Sequence, residues 1–154
     1  MRRFGEPRRR DVIYDRRPGA YAVIAQGSAH PGTRLMLTEQ DAVDLELQLP
    51  GGGGDPGESP IRALHREVFE ETGWHIRVKR RLGAYQRFTY MPEYDQWAHK
   101  ICLLYLCAPT LCVGPPTEPD HRVVWMSAHE ACRELTNSGD RHWLASWLGR
   151  RQYG

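Results

Sequence analysis

A chain of 154 residues is the length of one ordinary domain and can bury a core. Hydrophobic residues at 40% and charged residues at 26% fit a soluble globular class, and a formal net charge of +2 does not demand a nucleic-acid partner. No stretch approaches the ~18 apolar residues of a membrane span, and the N-terminus lacks the apolar core of a secretory signal, so a cytoplasmic location is expected.

The first eighteen residues carry Arg2, Arg3, Arg8, Arg9, Arg10, Arg16 and Arg17 against Glu6, Asp11 and Asp15. The preferred reading is a solvated basic leader over 1–18, with one domain over 19–154. Contact with a polyanion, substrate or RNA, is the alternative. Tyr21 to Gln26 and Arg34 to Thr38 read as strands joined by a Gly-, Ser- and Pro-containing turn. Asp44 to Leu49 alternates polar and leucine positions, the pattern of a half-buried strand. Gly51 to Gly57, with Pro56, is expected to be irregular.

Ser59 suits an N-cap, Pro60 the first helical position and Gly73 the C-cap, so a helix is predicted from there to about Thr72. Ile76 to Tyr90 reads as one long strand or a bent pair, and Trp97 to Ala108 as a more buried strand. Pro109 to Pro119 is expected to be a loop, Arg122 to Met126 a strand, and Ala128 to Leu135 a helix capped by Ser127. Asn137-Ser-Gly then breaks the chain before a helix over Asp140 to Leu148, with Trp143, Leu144, Trp147 and Leu148 on one face. Trp125, Trp143 and Trp147 are read as packing residues. Cys102, Cys107, Cys112 and Cys132 show no metal-like spacing and are read as free thiols, with zinc unexpected. Strands, a helix, more strands and then helices give an α/β layered fold with a mixed sheet.

The chemistry concentrates between Gly52 and Trp74, where the chain reads G-x5-E-x7-R-E-V-x-E-E-x-G-W. At ~3.6 residues per turn, Glu67 and Glu71 stand one turn apart with Glu70 beside them. Ile61, Leu64 and Val68 fall on a different arc, so one face can be buried while the carboxylates gather on the other. Like charges on one helical face cost tenths of a kcal/mol per pair. Glu70 and Glu71 also lie near the helix C-terminus, the unfavourable end of the macrodipole. A divalent cation removes both penalties, and hard cations such as magnesium or manganese favour carboxylate and carbonyl oxygens.

This string, with the preceding Leu49-Pro-Gly-Gly-Gly53, resembles the signature of the Nudix hydrolases, covering about 23 residues of the chain. Only the last position departs, Trp74 standing where an aliphatic residue is usual. The resemblance implies an α/β/α sandwich with the signature in a loop–helix–loop. It implies a magnesium-dependent pyrophosphohydrolase acting on a nucleoside diphosphate linked to another group X. Glu67, Glu70 and Glu71 are then metal ligands, with a backbone carbonyl of Gly51 or Gly52 as companion and Glu58 as an additional or outlying carboxylate. Arg66 orients the glutamates by ion pairing. In such proteins an acidic loop residue often reaches the metal site from the region before the Trp125 strand, which picks Glu118, with Asp120 behind it, as candidate base.

Arg87, Phe88, Tyr90 and Glu93 are expected near the substrate, with an aromatic stacking a base or, equally, packing on the sheet. Tyr90 lies sixteen residues past the signature, a spacing that hints at dinucleoside polyphosphate hydrolases. Pro92 is near the spacing associated with ADP-ribose hydrolases. His65 is read as a surface or packing residue, and His99 and His121 are unassigned. A nucleoside triphosphate or dinucleoside polyphosphate is the favoured substrate. The alternatives are ADP-ribose or a nucleotide sugar, a triphosphorylated RNA end, and a non-catalytic nucleotide sensor. Dimers are common among such proteins, but nothing in the sequence demonstrates one.

Overall fold

The computed structural model describes residues 1–41 and 44–149. The domain expected over 19–154 therefore runs past the described residues at its C-terminal end. Seven strands form one mixed sheet: β1 (Asp15–Ala25), β2 (Arg34–Gln40), β3 (Glu46–Gln48), β4 (Gly51–Gly53), β5 (Trp74–Met91), β6 (Gln96–Cys112) and β7 (His121–Ser127). Helix α1 (Pro60–Thr72) follows β4, and α2 (Ala128–Glu134) and α3 (Ser138–Leu148) close the chain. The order is β3-β2-β1-β6-β5, with β4 paired to β1 and β7 to β2. Only β1 and β6 run parallel among these pairs.

Helices cover both faces. Leu64 and Val68 of α1, each 0% exposed, pack on Ala20, Ala22, Ile24 and Met36. On the other side Leu144 and Leu148 of α3 and Ala128 and Ala131 of α2 meet Val23, Leu35, Leu37 and Leu104. Burying each large aliphatic side chain contributes about 1.5–3 kcal/mol. The result is the expected α/β sandwich. Ile61 departs from its expected arc and is exposed, one turn too early to reach the sheet.

The helix ends follow the local chemistry. Ser59 Oγ accepts from the Arg62 N–H at 3.2 Å, and Gly73, at φ 75°, turns the chain out of α1. A side chain there would meet the Gly114 carbonyl oxygen at 1.9 Å.

Elsewhere long-range pairing overrode local signals. Strand β1 begins at Asp15, inside the stretch read as leader, because residues 15–24 pair in parallel with 98–107 of β6. Arg2 and Phe4 also exchange backbone hydrogen bonds with Gln86. Strand β6 runs on to Cys112, into the predicted proline loop, since Pro109 sits at a register irregularity opposite Ile76. Gly51–Gly53, expected to be irregular, is a short strand against Gly19–Tyr21. Its bare backbone permits that approach: a Cβ on Gly51 would lie 2.1 Å from the Ala20 carbonyl oxygen. The predicted strand over 44–49 shortens to Glu46–Gln48, the part that pairs with β2. Helix α3 starts at Ser138, earlier than predicted.

Candidate active site

A cleft of about 350 Å³ opens beside β4. One end is acidic, lined by Glu67, Glu71, Glu118 and Asp120 around the backbone of Gly51–Gly53. The other carries Arg17, Arg87 and Lys100.

Helix α1 delivers Glu67 and Glu71 because their one-turn spacing aims both at β4 while Leu64 and Val68 anchor the opposite arc. Glu71 is 4% exposed, and its Oε1 accepts from the Gly51 N–H at 3.1 Å. Burial pushes its carboxyl well above the ordinary value, against the pull of that hydrogen bond, and the charges of Glu67, Glu118 and Glu70 push the same way. Glu67 is raised chiefly by burial as well. Its carboxylate lies so close to β4 that a Cβ on Gly52 would stand 2.7 Å from its Cδ.

Arg66 binds the outer side of the cluster. Its Nε and Nη2 each donate to Glu58 at 2.9 Å, Nη1 lies 3.1 Å from Glu67 and 3.2 Å from Glu70, and Nη2 donates to the Gly53 carbonyl at 3.2 Å. The planar guanidinium suits this fan of acceptors. First through that hydrogen bond, Glu58 is held down to about 2. Glu58 and Glu70 thus meet at Arg66 rather than lining the cleft with Glu67 and Glu71.

The loop before β7 closes the acidic end. Thr117 and Glu118 donate their N–H groups to the Glu70 carbonyl at 2.9 and 3.0 Å, fixing Glu118 over the C-terminal turn of α1. Glu118, Asp120 and His121 each present an atom suited to metal ligation within 4.8 Å of one another. His121, unassigned from the sequence, bridges the two halves. Its Nε2 is 3.7 Å from Glu71 and its Nδ1 is 3.0 Å from Asp120, which in turn accepts from Gln40. Its place directly after Glu118-Pro-Asp was the available signal.

The substrate-side residues divide by strand parity. Arg87 lines the cleft from β5, and Glu93 lines it from the turn that follows. Phe88 and Tyr90 belong to the opposite face of the sheet, where Phe88 stacks on His99 at 4.5 Å and meets Tyr14 edge-on, and Tyr90 tilts against Trp97 and bonds to Asp95. Adjacent strand residues point to opposite sides, so this is the packing alternative. Lys100, Asp140 and Tyr85, missed from the sequence, line the cleft instead. Tyr85 donates to Asp140 at 2.7 Å, and burial lifts the Asp140 carboxyl to about 6. Among the described residues no helix is long and apolar enough to cross a membrane.

Comparison with known proteins agrees with this geometry. A Bacillus subtilis (strain 168) protein, provisionally named 8-oxo-dGTP diphosphatase, is 36% identical over 75 residues, which are 49% of this chain and 47% of that one. The RNA pyrophosphohydrolase of Helicobacter pylori (strain G27) is 37% identical over 57 residues, 37% of each chain. Less than half of either relative is spanned. In structure, a NUDIX hydrolase from Nitrosomonas europaea superposes with a TM-score of 0.69 at 20% identity, over 86% of this chain and 88% of the other. The NUDIX domain description matches residues 15–147, nearly the whole of the sheet and its helices, and the chain belongs to the NUDIX domain family.

Proposed function

We propose that the chain is a divalent-cation-dependent pyrophosphohydrolase that cleaves a phosphoanhydride bond in a nucleoside diphosphate linked to X. One observation carries this: two desolvated carboxylates, Glu67 and Glu71, converge on the glycine strand at the floor of an open cleft. Two buried like charges at one point are costly without a counter-charge. Arg66 supplies it on the outer side of Glu67, while among the described residues no arginine or lysine pairs with Glu71, which has the His121 ring at 3.7 Å. That donor set fits magnesium or manganese.

In this reading Glu67 and Glu71 would hold the cation, Glu70 would join them by turning from Arg66, a Gly51 or Gly52 carbonyl would complete the set and Glu58 would support it. The ion would supply charge stabilisation at the phosphoryl oxygens. The chain's own groups do the rest. Arg66 fixes the rotamers of Glu58, Glu67 and Glu70, and Gly51 N–H and His121 fix Glu71, which keeps the carboxylates in place before substrate arrives. Glu118, tied to α1 by its backbone, is the proposed base that orients attacking water. Arg87 and Glu93 face the substrate.

A nucleoside triphosphate or dinucleoside polyphosphate is the proposed substrate class, and the relatives named as a diphosphatase and a pyrophosphohydrolase support a phosphoanhydride target. The test is turnover of a nucleotide panel with magnesium against an EDTA control, with products identified by mass spectrometry. Metal-dependent release of phosphate, pyrophosphate or nucleotide is expected. Intact substrates across the panel would leave a nucleotide-sensing domain as the better reading.

A further inference from the structure

Arg17, Lys100 and Arg87 form a single row across three adjacent strands. Lys100 of β6 is the register partner of Arg17 on β1 and of Arg87 on β5, and paired residues share a face of the sheet. All three line the cleft. Like charges directly opposite one another destabilise a sheet, so the arrangement needs an offsetting gain.

The protein itself offers little. Ion pairs form at Arg9, Arg66 and Arg122, but among the described residues neither Arg87 nor Lys100 joins one. The Arg87 Nε is buried without a hydrogen-bond partner. Burial weakens the Lys100 ammonium, and the neighbouring Arg87 weakens it further. Arg17 is the partial exception, spending one N–H on Gln96 at 3.0 Å while its guanidinium rests on the Tyr94 ring. The nearby carboxylates are Asp140, whose oxygen takes the Tyr85 hydroxyl, and Glu93. A buried guanidinium nitrogen without an acceptor, beside two further half-buried cations lining an open cleft, matches an anion that arrives from outside.

Position narrows the anion. Gly19 of β1 pairs with Gly53 of β4, and Arg17 lies two residues before Gly19. Two residues along a strand span ~6.6 Å, so the row sits just beyond the glycine strand that cradles the acidic end. One molecule held beside Glu67 and Glu71 can therefore reach the row with a further anionic group. We infer that Arg17, Lys100 and Arg87 form a seat for a phosphoryl group of the substrate lying outside the scissile pair. By this seat the chain selects nucleotides with three or more linked phosphates over nucleoside diphosphates joined to a neutral sugar. The inference rests on the hydrolase reading above and deepens it.

Binding and turnover separate the two claims. The first measurement is calorimetric titration of the metal-free protein with inorganic tripolyphosphate in EDTA. Arg87→Met and Lys100→Met should each weaken binding about 10-fold or more, the loss of one charge-assisted hydrogen bond. Lys100→Arg should stay within about 3-fold, and Arg77→Met, exposed at the far end of β5, should not move it. Relief of the like-charge row should also raise the melting temperature of Lys100→Met, which shows that the variant folds. No binding by the unaltered protein, unchanged affinity in both methionine variants, or an equal loss in Arg77→Met overturns the seat.

The second measurement is kcat/KM with magnesium for a nucleoside triphosphate and for a nucleoside diphosphate hexose of the same base. The methionine variants should lose about 10-fold or more on the triphosphate and less than about 3-fold on the sugar nucleotide. Equal losses on both, or weakened tripolyphosphate binding with unmoved kcat/KM, overturn its role in selecting substrate. Failure of the unaltered protein to turn over these compounds and every dinucleoside polyphosphate of the panel sinks the hydrolase reading instead, and the titration alone then decides the seat.

Discussion

The two ends of the cleft are built in opposite ways. At the acidic end one continuous stretch, Gly51 to Glu71, brings Glu67 and Glu71 together through a glycine strand and a single helix turn, and the loop before β7 adds Glu118 and Asp120. The basic end comes from residues 17, 87 and 100, joined only because three strands pair in one register. In the first, helix periodicity sets the geometry; in the second, register does, and a one-residue slip of any one of these strands would turn its cation to the other face. The Glu67–Glu71 pair is therefore robust to changes elsewhere, and the basic end is hostage to the ladder between β1, β6 and β5.

Breaking the acidic end should have the largest effect. Glu71→Gln keeps the shape and the Gly51 hydrogen bond but removes the charge, and should lower metal-dependent kcat by at least ~100-fold. Removing a desolvated charge should also raise the melting temperature of the metal-free protein, a gain a merely structural glutamate would not show. Gly52→Ala tests whether the close approach matters. Its Cβ would press on Glu67 at 2.7 Å, and a rate loss of about 10–100-fold is expected with little change in the far-ultraviolet spectrum.

The basic end is sharpened by Asp140, the buried carboxyl beside the cationic row. Its value in the fold, about 6, lies above the ordinary 3.8, so the folded state holds this proton over the interval between them. Stability therefore falls as pH rises through that interval and levels off above it. Asp140→Asn should remove that slope, and above pH ~6 unfolding by urea should show a gain of about 1–3 kcal/mol over the parent. The smallest effect is expected on the far face of the same strands. Phe88→Ala and Tyr90→Phe should leave kcat/KM within about 3-fold, since neither ring reaches the cleft. A loss beyond 10-fold would return the substrate to that aromatic face.

Legibility in the sequence followed the same divide. Ser59, Pro60 and Gly73 bounded α1 correctly because caps act within a few residues. Glu67, Arg66 and Gly52 could be grouped for the same reason. Glu70 and Glu58 were grouped with them too, and both meet Arg66: Glu70 at the i,i+4 spacing of the helix, Glu58 across the loop before it. For Phe88 and Tyr90 stacking and packing stayed open, because strand parity is visible in sequence while the choice of inner face is not. Lys100 carried no local signal, and Arg17 and His121 stood only in an arginine-rich leader and after Glu118-Pro-Asp, since their places in the cleft exist only once β1, β6 and β7 are in place. Asp15 to Pro18 read as leader because a strand rich in arginine lacks alternation and gains its order from β6.

The central claim is that Glu67 and Glu71 hold a divalent cation against the glycine strand. Titration with manganese, followed by electron paramagnetic resonance of the free ion, measures this without any assumption about substrate. Binding is predicted in the unaltered protein and should fall at least ~10-fold in a Glu67→Gln, Glu71→Gln double variant that melts no lower than the parent. Equal manganese uptake by the two proteins would contradict the account.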